Sequence, residues 1–183
     1  MPPPPSNVVV VSPARLRDRP LPDHGGVRSK YDRGVAVVVG GSSETPGAML
    51  LAGLGALRVG AGKLQIATAA SARGPLAVAV PEARVVAVPE TPDGSLDPDE
   101  AAERLAPLVR AADAVLIGPG AVDVDGTGRL LRLLLAYIDH AVLVVDAAAI
   151  AVLADDPTLL APLRRRAVVM PNPAEMASLL SRS

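Results

Sequence analysis

The chain of 183 residues contains no cysteine, tryptophan or phenylalanine. Without cysteine neither a disulfide framework nor a thiolate metal centre can form, so the redox compartment has to be inferred from other features. The aromatic residues are Tyr31 and Tyr137 alone, which removes the stacking platforms on which single-strand binders hold bases. Charge of one sign is missing too. The 18 basic and 19 acidic residues are spread along the chain and leave a formal net charge of −1, so there is no electrostatic footprint for nucleic acid. The tetrad LRRR at 163–166 reads as a solvated helix end rather than a binding patch. No apolar run approaches the roughly 18 residues of a membrane span. The opening MPPPPSNVVVVSP has neither a basic n-region nor an apolar h-region of signal-peptide length. Neither nucleic acid nor a membrane is therefore an expected partner, and the cytoplasm is the expected compartment.

What is present is a core. The 50% apolar content is enough to fill one domain without disulfides or metals. Residues 1–33, rich in Pro, Gly, Asp and Arg without a sustained period, are expected to form an extended arm, with the folded domain at 34–183. From Gly34 onward six short β-branched runs alternate with Ala/Leu-rich segments: VAVVVG, KLQIAT, RVVAV, AVLIG, AVLVVD and AVVM. Each reads as a continuous apolar stretch, as expected of strands covered on both faces by helices. Asp97, Pro98 and Glu100 form a capping-box pattern that launches one helix. Residues 126–139 carry an apolar stripe at helical spacing through Leu130, Leu131, Leu133, Leu134 and Ile138. Repeated βαβ units predict an α/β fold with a largely parallel sheet and ligands outside the strands' carboxyl ends.

Four turns at those ends stand out. The first, GGSSETPGA at 40–48, combines glycines with small hydroxyl residues such as Ser42, and places Pro46 in the first turn of a helix whose positive end faces the pocket. The second, at 117–126, has Gly118 and Gly120 flanking Pro119, two positions whose missing Cβ would let a ligand lie against the backbone. A dinucleotide fingerprint fails there for want of the third glycine, and an EF-hand fails because Leu134 stands where calcium needs a glutamate. Asp123 and Asp125 read as solvated loop residues, and the GTG at 126–128 as a helix start without further meaning. The third turn carries Asp146, which either caps the following helix or faces a ligand. The fourth, MPNPAE at 170–175, pairs Asn172 with Glu175 as N-x-x-E, a capping box or a pair of ligand contacts.

These blocks, in this order, resemble the ADP- or ATP-dependent NAD(P)H-hydrate dehydratase family, a branch of the ribokinase-like fold. The resemblance runs from about residue 24 to 183. Its most specific part, residues 32–68, resembles that family's GGS-(x)n-GA-(x)n-AL-x-x-GAG signature almost throughout. It implies a repair reaction: phosphorylation of the ring hydroxyl of hydrated NADH or NADPH by ADP or ATP with Mg²⁺, then elimination of phosphate. Hydroxide is a poor leaving group and phosphate a better one. Carried over by motif, Gly47, Ala48, Gly118, Gly120 and Asn172 would contact the hydrated cofactor. Glu175 would help to organise Mg²⁺ and phosphates, usually through water, without being a direct metal ligand. Asp146 and Ser42 are further candidates. The resemblance also implies a homo-oligomer.

Three positions depart from the family pattern. Asn172 stands where many members have His, Ala148 where they have a second Asp, and Ala174 where they have Gly. An amide still offers a donor and an acceptor, whereas an alanine cannot replace a charge. The family's Lys-Gly strand and GTGD turn follow the N-x-x-E helix, which puts the general-base Asp beyond Ser183 and leaves no catalytic residue within the chain. The sheet is accordingly expected to be incomplete at that end. Two alternatives remain open at this point: a ribokinase-like small-molecule kinase, and a catalytically silent binding module.

Overall fold

The computed structural model describes residues 11–20, 26, 29–30 and 32–181. Most of the MPPPPSNVVVVSP opening, Tyr31 and the last two residues lie outside that set. All six β-branched runs form strands: β1 (Val35–Val39), β2 (Lys63–Ala69), β3 (Ala83–Val88), β4 (Ala114–Ile117), β5 (Val142–Val145) and β6 (Ala167–Val169). They make one parallel sheet in the order β3-β2-β1-β4-β5-β6. The order reverses direction between β1 and β4, and in open α/β sheets the crevice at such a switch point receives ligands.

Helices connect the strands. α1 (Pro13–Arg17) is a short turn of helix in the segment expected to be extended; Ser12 caps it by accepting from the Arg15 N–H. α2 (Gly47–Arg58) and α3 (Arg73–Ala79) pack on β1, β2 and β3, whereas α4 (Pro98–Arg110) packs on α5 (Val124–Leu135). With right-handed crossovers these pairs cover opposite faces. The core between them is built from Val37, Val39, Ile66, Leu105, Leu131 and Leu143, all essentially buried. α6 (Val152–Asp155) and α7 (Pro173–Ser181) complete the set.

Several local expectations are corrected. Pro46 sits at the cap position, one residue before α2 begins. Asp97 caps α4 through the N–H groups of Asp99 and Glu100, but its own N–H donates to the Pro89 carbonyl, so the reciprocal half of the capping box is taken by the backbone. α5 starts two residues earlier than its stripe suggests. Asp123 is its N-cap, accepting from the Gly126 N–H at 2.9 Å, and Asp125 lies in its first turn, so neither is a simple loop residue. The amino-terminal half of β2 alternates, with Leu64 and Ile66 inward and Lys63 and Gln65 half-exposed, rather than being covered on both faces. β6 is likewise half-covered: Val168 is exposed. The arginines of the LRRR tetrad follow a 3-10 turn at Ala161–Leu163, and Arg166 donates to the Ala141 carbonyl.

Candidate functional site

β1, β4, β5 and β6 are consecutive neighbours in the sheet, so the four unusual turns emerge side by side at its carboxyl edge. The first two are joined directly across the switch point. The Gly41 N–H donates to the Pro119 carbonyl at 2.8 Å, and the Thr45 hydroxyl donates to the Gly120 carbonyl at 2.6 Å. Ser42 is fully buried; its Oγ accepts from the N–H groups of Glu44 and Thr45 and lies 2.9 Å from Thr45 Oγ1. Because the Thr45 proton is committed to Gly120, the proton between the two hydroxyls belongs to Ser42. Ser42 thus holds the turn together rather than facing a ligand.

The glycines of the second turn are required for a reason other than ligand access. Gly120 has φ +67°, and a Cβ there would lie 2.6 Å from the Thr45 carbonyl oxygen and 2.8 Å from the Ala48 Cβ. Gly118 has φ +111°, and a Cβ would run into the Asp146 carbonyl, so the third turn packs closely against the second. Both conformations favour glycine, and the space each leaves is filled by a neighbouring turn. Gly47 differs. It opens α2, and a Cβ there would meet nothing within 4 Å.

Asp146 directly follows β5, and its side chain does not cap the 3-10 stretch at Ala147–Ile150 that comes next. Ala147 next to it takes φ +47°, a left-handed value that a residue with a Cβ rarely adopts. Burial raises the Asp146 pKa, a backbone hydrogen bond at Ala147 opposes the rise, and the Glu175 charge adds to it. In the fourth turn the capping box is complete. Asn172 Oδ1 accepts from the N–H groups of Ala174 and Glu175, and Glu175 Oε2 accepts from the Asn172 N–H at 2.8 Å. Between the second, third and fourth turns lies a cavity of about 300 Å³, with walls that include Ala121, Val124, Ala148, Ala151 and Leu179, and with Glu175 at its edge. Ala148, the position where the family has a second acid, contributes apolar wall here.

The sequence reading missed Thr45, whose partner is 75 residues away and leaves no local trace. It also missed a fifth turn at 91–95, which abuts the first: the Ser43 N–H donates to the Gly94 carbonyl. The Pro92-Asp93-Gly94 tripeptide was the available signal. Among the described residues no group of three His, Cys, Asp or Glu side chains could hold a metal ion by itself, and no helix is long and apolar enough to cross a membrane.

The class follows from this architecture. Solved structures with the same arrangement include a ribokinase-like superfamily protein of Enterococcus faecalis, with TM-score 0.71 and 25% identity over 87% of this chain and 52% of that one. Another is an ADP/ATP-dependent NAD(P)H-hydrate dehydratase of Bacillus subtilis co-crystallised with ATP and Mg²⁺, with TM-score 0.69 and 25% identity over 97% of this chain and 57% of that one. The fold is ribokinase-like α/β. Within that class the chain belongs to the NAD(P)H-hydrate dehydratase family, whose sequence pattern matches residues 36–183. It is 44% identical over 174 residues to the ADP-dependent (S)-NAD(P)H-hydrate dehydratase of Xanthomonas campestris pv. campestris, covering 94% of this chain and 56% of that protein. It is 36% identical over 161 residues to a bifunctional NAD(P)H-hydrate repair enzyme of Moorella thermoacetica, covering 88% and 30%. The chain thus spans little more than half the length of the first of these curated relatives and under a third of the second.

Proposed function

We propose that the protein acts in ADP- or ATP-dependent dehydration of hydrated NADH or NADPH, and that the carboxyl edge of its sheet is the cofactor-hydrate site. The observation that supports this reading is the direct hydrogen bonding of the first turn to the second at the switch point, with the third and fourth turns next along the same sheet edge and a cavity among them. In this reading Gly47, Ala48 and the peptide groups of Gly118 and Gly120, not the Cα faces that the Asp146 and Thr45 carbonyls cover, contact the substrate, and the cavity's small apolar walls exclude water from its ring. Asn172 contributes its exposed amide, although its Oδ1 is already engaged by α7.

Asp146 and Glu175 fit Mg²⁺ only as partners of an ion carried in on nucleotide phosphate, since two carboxylates do not make a complete oxygen cage. When bound, Mg²⁺ and nucleotide supply the phosphoryl group that turns the ring hydroxyl into a leaving group. The groups named here bind and orient. Turnover is expected once the segments that make up the rest of the relatives' length are supplied.

The test titrates hydrated NADH into the protein, then adds Mg²⁺ and ADP or ATP with those segments supplied, and follows the return of reduced-nicotinamide absorbance. Saturable binding that Gly47→Leu abolishes, followed by recovery of the reduced cofactor, supports the reading. Absence of binding refutes the site. Phosphorylation of a sugar or vitamin without cofactor recovery favours the kinase alternative, for which the complete Asn172 and Glu175 pair speaks. We further place the protein in the cytoplasm as a homo-oligomer. The outer face of α2 supports self-association, because Leu51 and Val59 are exposed there and Gly55 is open; light scattering checks it.

A further inference from the structure

We propose that the amino-terminal corner of the sheet, where Lys63, Gln65 and Arg84 line a partly exposed face beside Lys30, is a second small-molecule site that binds a phosphoryl group of more than one negative charge. This inference is independent of the reading above.

The corner is built by register. Gln65 pairs with Arg84 across β2 and β3, so their side chains leave the sheet on the same face, and Lys63, two residues before Gln65, joins them. That face is the one turned away from α2, because the missing Cβ of Gly53 faces Leu64 and Ile66, which alternate with Lys63 and Gln65. A parallel sheet is ordinarily covered on both faces by apolar side chains. At this corner Lys63, Gln65 and Arg84 stand in their place. They line a cavity of about 380 Å³ whose walls include Lys30, Gly62, Lys63, Gln65, Glu82 and Arg84.

The arm closes one side. A Cβ on Gly62 would collide with the Lys30 carbonyl and lie 2.9 Å from the Arg33 Cβ, so this part of the arm rests directly on the glycine that ends the GAG signature. Among the described residues the walls carry Lys30, Lys63 and Arg84 against the single carboxylate of Glu82, so the described lining is richer in cations than in anions. Arg84 already donates to the Gln65 side-chain carbonyl at 3.4 Å, a long contact that leaves the rest of its planar fork for the two oxygens of a phosphoryl group. The site lies at the opposite ends of the strands from the candidate cofactor site, roughly 15 Å away at the rise of a β-strand.

Two sources share this chemistry, free pyrophosphate and the phosphate end of a nucleotide. Calorimetric titration of the intact chain with metal-free pyrophosphate, and separately with ADP, distinguishes them. One saturable site for pyrophosphate is expected, weakened about tenfold by Arg84→Gln or Lys63→Gln and retained in Lys63→Arg. Glu82→Gln is expected to tighten binding, and raising salt from about 0.05 M to about 0.2 M to weaken it several-fold. ADP binding with the same dependence on Arg84 identifies a nucleotide as the source; pyrophosphate binding alone identifies the free anion. Absence of saturable binding, or an affinity unmoved by both glutamine variants, means an adventitious ion only and overturns the proposal. An affinity that Glu175→Gln moves and Arg84→Gln does not places the anion at the carboxyl edge and overturns it equally. Should Lys63→Gln fail to fold by circular dichroism, Arg84→Gln alone decides, since that side chain is exposed.

Discussion

Replacing Gly120 by alanine should be among the most damaging small changes in the chain, and replacing Gly47 by alanine among the most harmless. At Gly120 the new methyl group must enter a left-handed backbone conformation, which costs an L-residue about 1–2 kcal/mol. It must also fit 2.6 Å from the Thr45 carbonyl oxygen and 2.8 Å from the Ala48 Cβ, both inside van der Waals contact. Relief requires the first and second turns to separate, and overpacking of this kind costs about 1–3 kcal/mol. Together the two effects predict a loss of about 2–5 kcal/mol, read as a urea midpoint lower by about 1–2 M at unchanged slope. Gly47→Ala adds a methyl group in open space at the first position of α2 and should be neutral or stabilising by up to about 1 kcal/mol. A Gly120→Ala stability within about 0.5 kcal/mol of the parent would refute the claim that the turns are packed against each other.

Other outcomes follow from the same geometry. Thr45→Val removes the hydroxyl that bridges to Gly120 and should cost about 1 kcal/mol in urea denaturation, with Thr45→Ser restoring most of it. Asn172→Ala should cost about 1 kcal/mol by uncapping α7, whereas Glu175→Gln keeps a capping-box partner and should stay close to the parent in stability. Asp146 holds its proton more tightly folded than unfolded. Its contribution to stability is therefore complete below the unfolded pKa and lost as pH rises through the folded value. Asp146→Asn should raise the denaturation midpoint at neutral pH, with the gap closing in acid; a gap constant with pH would contradict this.

The strands were legible because each is a compact β-branched run, and their boundaries held within a residue. Coverage was less legible. β2 and β6 have the composition of buried strands, yet Lys63, Gln65 and Val168 face outward, because a helix covers a sheet corner only where the crossover happens to pass. The start of α5 was hidden because Asp123 and Asp125 have the look of solvated loop residues, whereas Asp123 caps a helix that begins two residues before Gly126. In the candidate site the positions of the four turns could be inferred from strand order, but the partners of the glycines could not. Gly118 and Gly120 read as positions without a Cβ, but that the Asp146 and Thr45 carbonyls occupy the space a Cβ would take leaves no trace in the sequence.

The bond from Gly41 to Pro119 and the one from Thr45 to Gly120 have a mechanical consequence. They fix the first turn to the second, so accommodation of guests of different size in the neighbouring cavity is expected from the alanine-lined side between β5 and α7. Hydrogen exchange at the Gly41 amide should then be slow whether or not a guest is bound, with the response to occupancy concentrated around Ala148 and Ala151.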